Sequence, residues 1–377
     1  MTVDSQNQKE YRLLPFDLLR GLLMILMALD HANFHIAQQH SSGEYWGGHY
    51  PSFSTPMHFL FRFVTHLSAP GFFFTMGFGM VLFASTRRKK GWRELQIIGH
   101  FLSRGLILIA LQRFLHYSQA WSVAGSSAPL WYVGVLAALG FGMILCIPLL
   151  RLKPLFLAGI SLGFFIAMEV LTPDPGLWGR NFNNLVGTLL VYSGGTGEFW
   201  TNYPLLAWVE LLILGMLFGK WVQIDVKKAY QKGAWLGVIL LVIFVMVRMN
   251  NGFGNIRPLP RDNWMGFLSL VKYPPSMTFV LLTIGLNLIL LWGFSWIKKP
   301  VFGDWNPVLV FGRVPLFFYL SHIGLYFLMG RQLTPGGSSL EVMLALWFAG
   351  LVVLYFPARW YGLYKSGQPA KSWVRYF

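Results

Sequence analysis

The residues best equipped for chemistry in this sequence are ionisable side chains set inside apolar runs. The first such run carries Asp17, Arg20, Asp30 and His31. An ionisable group in hydrocarbon costs roughly 2.5 to 3.5 kcal/mol on insertion scales, so each needs a partner, a cavity or a task. Asp17 and Arg20 are three residues apart, share a helix face and can pair. His31 follows Arg20 by about three turns on nearly the same face, some ~16 Å away. One face thus carries a cation toward one end and an imidazole toward the other. The second run contributes Arg62 and His66, with His58 at its mouth. The third adds Arg104 and Arg113, the sixth Glu210, and the ninth Arg313 and His322.

The elements that must position these groups are membrane helices. Of the 377 residues, 55% are hydrophobic and 12% charged, with a mean hydropathy of +0.52; an ordinary soluble domain carries about 25% charged residues. Apolar runs of about 20 residues recur along the chain, each long enough to cross a ~30 Å hydrocarbon layer. A barrel would show short alternating segments instead. The expectation is an all-α polytopic bundle forming a single domain over 1–377. About ten helices are expected near 13–36, 57–84, 95–117, 129–150, 154–172, 204–222, 233–249, 276–297, 307–329 and 340–362. Gly21 to Leu29 is preceded by basic residues, but no small-residue cleavage site follows it and the run continues, which argues against a signal peptide.

Every second connection is basic, as at Lys9 and Arg12, then Arg87 to Arg93, Arg151 and Lys153, Lys227 to Lys232, and Lys298 and Lys299. By the positive-inside rule both termini are cytoplasmic. The charge of +16 therefore serves orientation, and no nucleic-acid partner is expected. The segment Asn250 to Pro275 departs from the pattern with Arg257, Arg261 and Lys272, and reads as interfacial or partly re-entrant. Pro173 to Tyr203, rich in Gly, Asn and Trp, reads as a folded cap or loop over an outward opening. Cys146 is the only cysteine, which excludes a disulfide framework and a thiolate metal cluster. No HExxH spacing, Walker loop, GxSxG elbow or dinucleotide fingerprint occurs, so no metal site is expected.

In this orientation Arg20, Arg104 and Arg313 fall in the cytoplasmic part of their helices. His31, Arg62, Arg113 and His322 fall toward the outside, with His66 nearer mid-depth. Guanidiniums from three helices suit a diphosphate or other polyanion. Imidazoles beside a carboxylate suit proton abstraction from a hydroxyl or amine. The plainer alternative is that the arginines snorkel to headgroups and the histidines bond to carbonyls between helices.

The motif Phe-Asp-Leu-Leu-Arg-Gly over residues 16–21, continuing to Asp30-His31, resembles the catalytic domain of heparan-α-glucosaminide N-acetyltransferase and its bacterial relatives. So does Phe-Val-Thr-His-Leu-Ser-Ala-Pro-Gly over 63–71, running on to Gly77. Further likeness lies in Phe-Gly-Arg-Val-Pro-Leu-Phe-Phe-Tyr-Leu-Ser-His over 311–322 and in Phe-Pro-Ala-Arg-Trp-Tyr over 356–361. The spacing from Arg20 to His31 is also similar to the signature of the wider transmembrane acyltransferase group. The resemblance implies transfer of an acetyl or acyl group from cytosolic acyl-CoA to an extracytoplasmic sugar or glycan, in a bacterial inner membrane. In the lysosomal enzyme the position matching His31 is not histidine, and the catalytic histidine lies in the segment after the Arg-Gly helix. Here that segment offers His35, His40, His49 and His58.

The expected roles follow. Arg20, Arg104 and Arg313 hold acetyl-CoA as co-substrate, and His31, oriented by Asp30 or another partner, is the first choice of base or of transient acyl carrier. His66 and then His58 are the next choices, and Arg62, Arg113 and His322 serve the acceptor. Lipids and a possible homo-oligomer complete the partners. The rival reading is a transporter or channel for an anionic or proton-coupled solute.

Overall fold

The structure is a computed structural model. It describes the backbone except at 1–2, 40–43, 48, 54, 123–128, 179–183, 196–197, 261–262, 370–371 and 377, and side chains also except at 3–13, 117–122 and 375–376. Expectations for His40 and Arg261 therefore lie outside the described residues, as do those for the side chains of Lys9 and Arg12.

The chain is helical where the apolar runs predicted helices. They are α1 (Val3–Ala32), α2 (Pro56–Thr65), α3 (Ser68–Lys89), α4 (Glu94–Ser122), α5 (Val135–Leu145), α6 (Pro154–Leu171) and α7 (Leu185–Leu190), then α8 (Leu205–Ile224), α9 (Val226–Asn250), α10 (Trp264–Leu268), α11 (Met277–Phe294), α12 (Pro307–Arg313), α13 (Pro315–Leu333) and α14 (Leu340–Gly367). Among the described residues seven helical segments are long and apolar enough to cross a membrane, or eight if the bent pair α12 and α13 is one span. The fold is an all-α polytopic membrane bundle. The α1 helix carries Asp17, Arg20 and Asp30 within its apolar stretch. Three of the ten expected helices differ in detail. The 57–84 run is divided into α2 and α3 at His66 and Leu67. The 129–150 run is a short strand followed by the 11-residue α5. The 307–329 run bends by 104° between α12 and α13.

That bend is local chemistry. Pro315 has no N–H to continue the ladder and its ring disfavours helical geometry at the residue before it; Val314 accordingly sits at φ −129°, ψ 51°. The short α12 is thereby free to press flat on α1. The two helices approach so closely that a Cβ on Gly21 would lie 1.7 Å from the Val308 carbonyl oxygen, and one on Gly312 would lie 1.9 Å from that of Asp17. Only glycine fits either position.

At the opposite end from α12, α1 passes into a π-turn, Asn33–Ala37, that ends on Gln38 at φ 55°. The described parts of the connections there, including those between α6 and α8, fold into a cap. Strands β1 (Trp131–Val133), β2 (Gly194–Gly195) and β3 (Phe199–Thr201) form a sheet in the order β1-β3-β2, with β1 parallel to β3 and β2 antiparallel to it. Glu44 to Trp46 form a strap pinned to the segment before α11. The Glu44 carbonyl accepts from the Lys272 and Tyr273 N–H groups at 2.9 and 3.1 Å, and the Trp46 N–H donates to the Tyr273 carbonyl at 2.8 Å.

Candidate active site

A cavity of about 470 Å³ opens among α1, α3, α4, α5 and α13. Arg20, Arg87, Lys90, His100 and Arg104 line one end of it, where α3 finishes and α4 begins. The middle is apolar and flexible, with Met24, Met27, Met76, Met80 and Met143 in its walls. The cationic end is held by specific contacts. Arg20 donates to Asp17 at 2.6 Å and to the Gly312 carbonyl, while its buried Nε has no hydrogen-bond partner among the described residues. Arg87 lies over the Phe83 and Trp92 rings, 4.9 and 4.7 Å from their centroids, and His100 stacks on Phe83 at 4.2 Å. Net positive charge, a buried unsatisfied guanidinium N–H and stacked rings together favour an anionic group carrying a flat base.

The other end of the cavity meets Tyr319. Its ring stands edge-on to His31 at 6.2 Å and to His322 at 5.5 Å. The His31 Nδ1 and His322 Nε2 atoms are 2.7 Å apart, and His322 Nδ1 lies 2.9 Å from the Phe318 carbonyl oxygen. A carbonyl can only accept, so His322 Nδ1 carries the hydrogen. In the neutral pair His322 Nε2 then accepts from His31 Nδ1, and His31 Nε2 bears the lone pair. His322 is fully buried. It fixes the ring and tautomer of His31.

Directly behind His31 lies a buried charge network. Arg62, 3% exposed, donates from Nε to Glu44 Oε1 at 2.7 Å, from Nη2 to Glu44 Oε2, and from Nη1 to Asp30. Thr65 Oγ1 donates to Asp30 at 3.1 Å. His66 Nε2 is 2.9 Å from Glu44 Oε1, and its Nδ1 is buried with no partner among the described residues. A carboxylate orienting one ring nitrogen while the other stays unpaired is the arrangement of a general base. Burial alone would raise the Glu44 carboxyl, but Arg62, His66 and Lys272 outweigh it and hold it well below the usual range. Above the network, burial pushes the Tyr45 phenol up to about 12, so it remains a donor to Asn202 at 2.7 Å.

A polytopic membrane bundle with a cation-mouthed cavity, and a histidine pair packed behind a tyrosine of its inner lining, has the layout of a membrane-embedded transfer enzyme. Residues 12–247, more than half of the chain, match the family described as heparan-alpha-glucosaminide N-acetyltransferase, catalytic, and the chain belongs to that family. No curated protein matches the chain.

The structure gathers some expected site residues and separates others. It sets Arg20 and Arg104 in one cavity and joins His31 to His322. Asp30 is engaged by Arg62 and Thr65 instead of serving as the His31 Nδ1 partner, a place taken by His322. Arg62 is bound to two carboxylates, so it organises the site and is no open acceptor-binding cation. Arg313 turns away from the cavity to Asp304 at 2.9 Å, because the bend after it leaves its side chain at the surface. Arg113 donates to the Leu130 carbonyl and covers Trp131 beside the sheet. His58 stands in the first turn of α2, two turns before His66. Glu210, on α8, is buried with Oε2 unpartnered among the described residues.

Sequence reasoning missed Glu44, Tyr319, Arg87, Lys90 and His100. Glu44 could have been found as the one acidic residue between His40 and Pro56. Arg87 and Lys90 were legible only as orientation charges, since both belong to the basic run after α3.

Proposed function

We propose that this protein transfers an acetyl group from acetyl-CoA, entering from the cytoplasm, to the amine or hydroxyl of a sugar or glycan on the far side of a bacterial inner membrane. The observation that carries the reading is the cavity itself, cationic at one end and adjoining the His31–His322 pair through Tyr319 at the other. Arg20, Arg87, Lys90 and Arg104 would hold the phosphates, and the methionine-lined shaft would take the pantetheine arm. His31 Nε2 would accept the proton of the acceptor N–H or O–H as its heteroatom bonds to the thioester carbonyl carbon. The C–S bond then breaks, and the proton passes to the departing thiolate to give free CoA. His66, oriented by Glu44, is the second candidate base because its Nδ1 is unpaired.

The test uses purified protein in detergent, acetyl-CoA and a panel of amino sugars and glycans, with release of CoA thiol as the signal. His31→Ala is expected to lower turnover by about 10²- to 10⁴-fold, the range of a lost general base. Arg104→Ala is expected to raise KM for acetyl-CoA roughly tenfold or more with a smaller change in kcat. Full turnover in His31→Ala with loss in His66→Ala would move the base to His66. Solute flux across liposomes with no CoA release in any variant would overturn the reading in favour of a transporter.

A further inference from the structure

A second groove, of about 920 Å³, lies on the outer surface between the start of α9 and the end of α11, apart from the candidate active site. Its lips are cationic on both sides, with Lys227 and Lys232 from α9 and Lys298 from just beyond α11. Lys228 also lines it but pairs with Asp225 at 3.8 Å. No acidic residue lines the groove among the described residues, which leaves the other three charges uncompensated within it.

The walls are apolar and aromatic. Trp235 and Trp296 are each 70% exposed, and Trp292 also lines the groove and meets Trp296 edge-on at 5.2 Å. Beyond the lysines the groove continues to Val238 and Ile289. Lys232 and Val238 are six residues apart on one helix, about 9 Å along its axis. A soluble anion would satisfy the lysines and leave this apolar stretch bare. Most of the apolar length of α9 is uncovered by protein, so lipid is what surrounds it.

We propose that this groove is a binding site for an anionic glycerophospholipid, its headgroup phosphate held by Lys227, Lys232 and Lys298 and an acyl chain lying along Trp235, Val238 and Ile289. Basic pockets between membrane helices, edged by interfacial tryptophans, select lipids by headgroup charge. A zwitterionic lipid supplies a phosphate but adds an ammonium against the same lysines, so charge discriminates between them.

The experiment incubates the full chain in mild detergent with equal amounts of phosphatidylglycerol and phosphatidylcholine and counts retained lipid by native mass spectrometry. The wild type is expected to retain the anionic lipid by on the order of tenfold over the zwitterionic one. That preference should vanish in Lys232→Glu/Lys298→Glu and fall in the milder Lys232→Gln/Lys298→Gln, while Lys153→Glu, just before α6 and outside the groove, leaves it unchanged. Millimolar glycerol phosphate should not compete. Equal retention of both lipids, a preference that survives the glutamine pair, or displacement by glycerol phosphate would each overturn the proposal.

Discussion

Arg62 serves two carboxylates at once, and that makes it the side chain whose loss should be felt most. Its guanidinium is almost fully buried, as is Glu44, with Asp30 17% exposed beside them. Removing one member of such a set leaves a buried charge without its counter-ion, which costs about 3 to 5 kcal/mol. Glu44 carries the pH dependence of this network. Because its native carboxyl is held below the ordinary glutamate value of 4.5, its contribution is complete above that value and is lost as pH falls through the depressed native one. Thermal unfolding of detergent-solubilised protein should therefore show Glu44→Gln melting well below wild type at pH 7, with the gap closing below pH 4.5. A gap of constant size at every pH would mean that the carboxylate charge is not what stabilises the strap. None of this was legible from Glu44 alone. A single carboxylate in a connection says nothing of the guanidinium it will meet, and Arg62 read as an acceptor ligand because its two partners lie 18 and 32 residues away in sequence.

At the scale of elements, the site depends on how α12 lies on α1. Gly312 contributes the carbonyl that holds Arg20, and the bend after it aims α13 so that His322 meets His31. A methyl group at Gly312 would strike the Asp17 backbone, which cannot yield as a flexible side chain would. Gly312→Ala is expected to cost at least about 1 to 3 kcal/mol and to lower CoA release together with melting temperature. Gly163→Ala, on α6 where an added Cβ meets nothing within 4 Å, is the control and should leave stability unchanged or raise it slightly. Ten helical segments were readable from hydropathy because each needs only its own residues. The bend was not, although Pro315 stood in plain view, because the apolar run continues across it and hydropathy does not register backbone direction.

For the whole molecule, the orientation inferred from basic connections makes a direct forecast. Cys146 is the single cysteine and is fully buried, so the native thiol should stay silent to a membrane-impermeant maleimide. Lys89→Cys, in the cationic end of α3, should label only in opened vesicles, and Asp174→Cys, in the cap, only from the outside of intact cells. Labelling of both from the same side would reverse or break the proposed topology. The depth order of Arg20, Arg104, His31 and His322 was legible because helical rise converts sequence spacing into height. Which of these groups share a cavity was not, since that depends on how helices rotate about their own axes. Arg104 turns inward and Arg313 does not.

His31 and His322 are 291 residues apart, one inside the span that matches the family and the other beyond its end. The first 247 residues expressed alone would carry the cationic mouth and His31 without the ring that bonds its Nδ1. The last third would carry the steadying ring with nothing to hold. Two separately inactive fragments, produced together in one cell, would thus have reason to find each other, and any activity they regain would belong to neither.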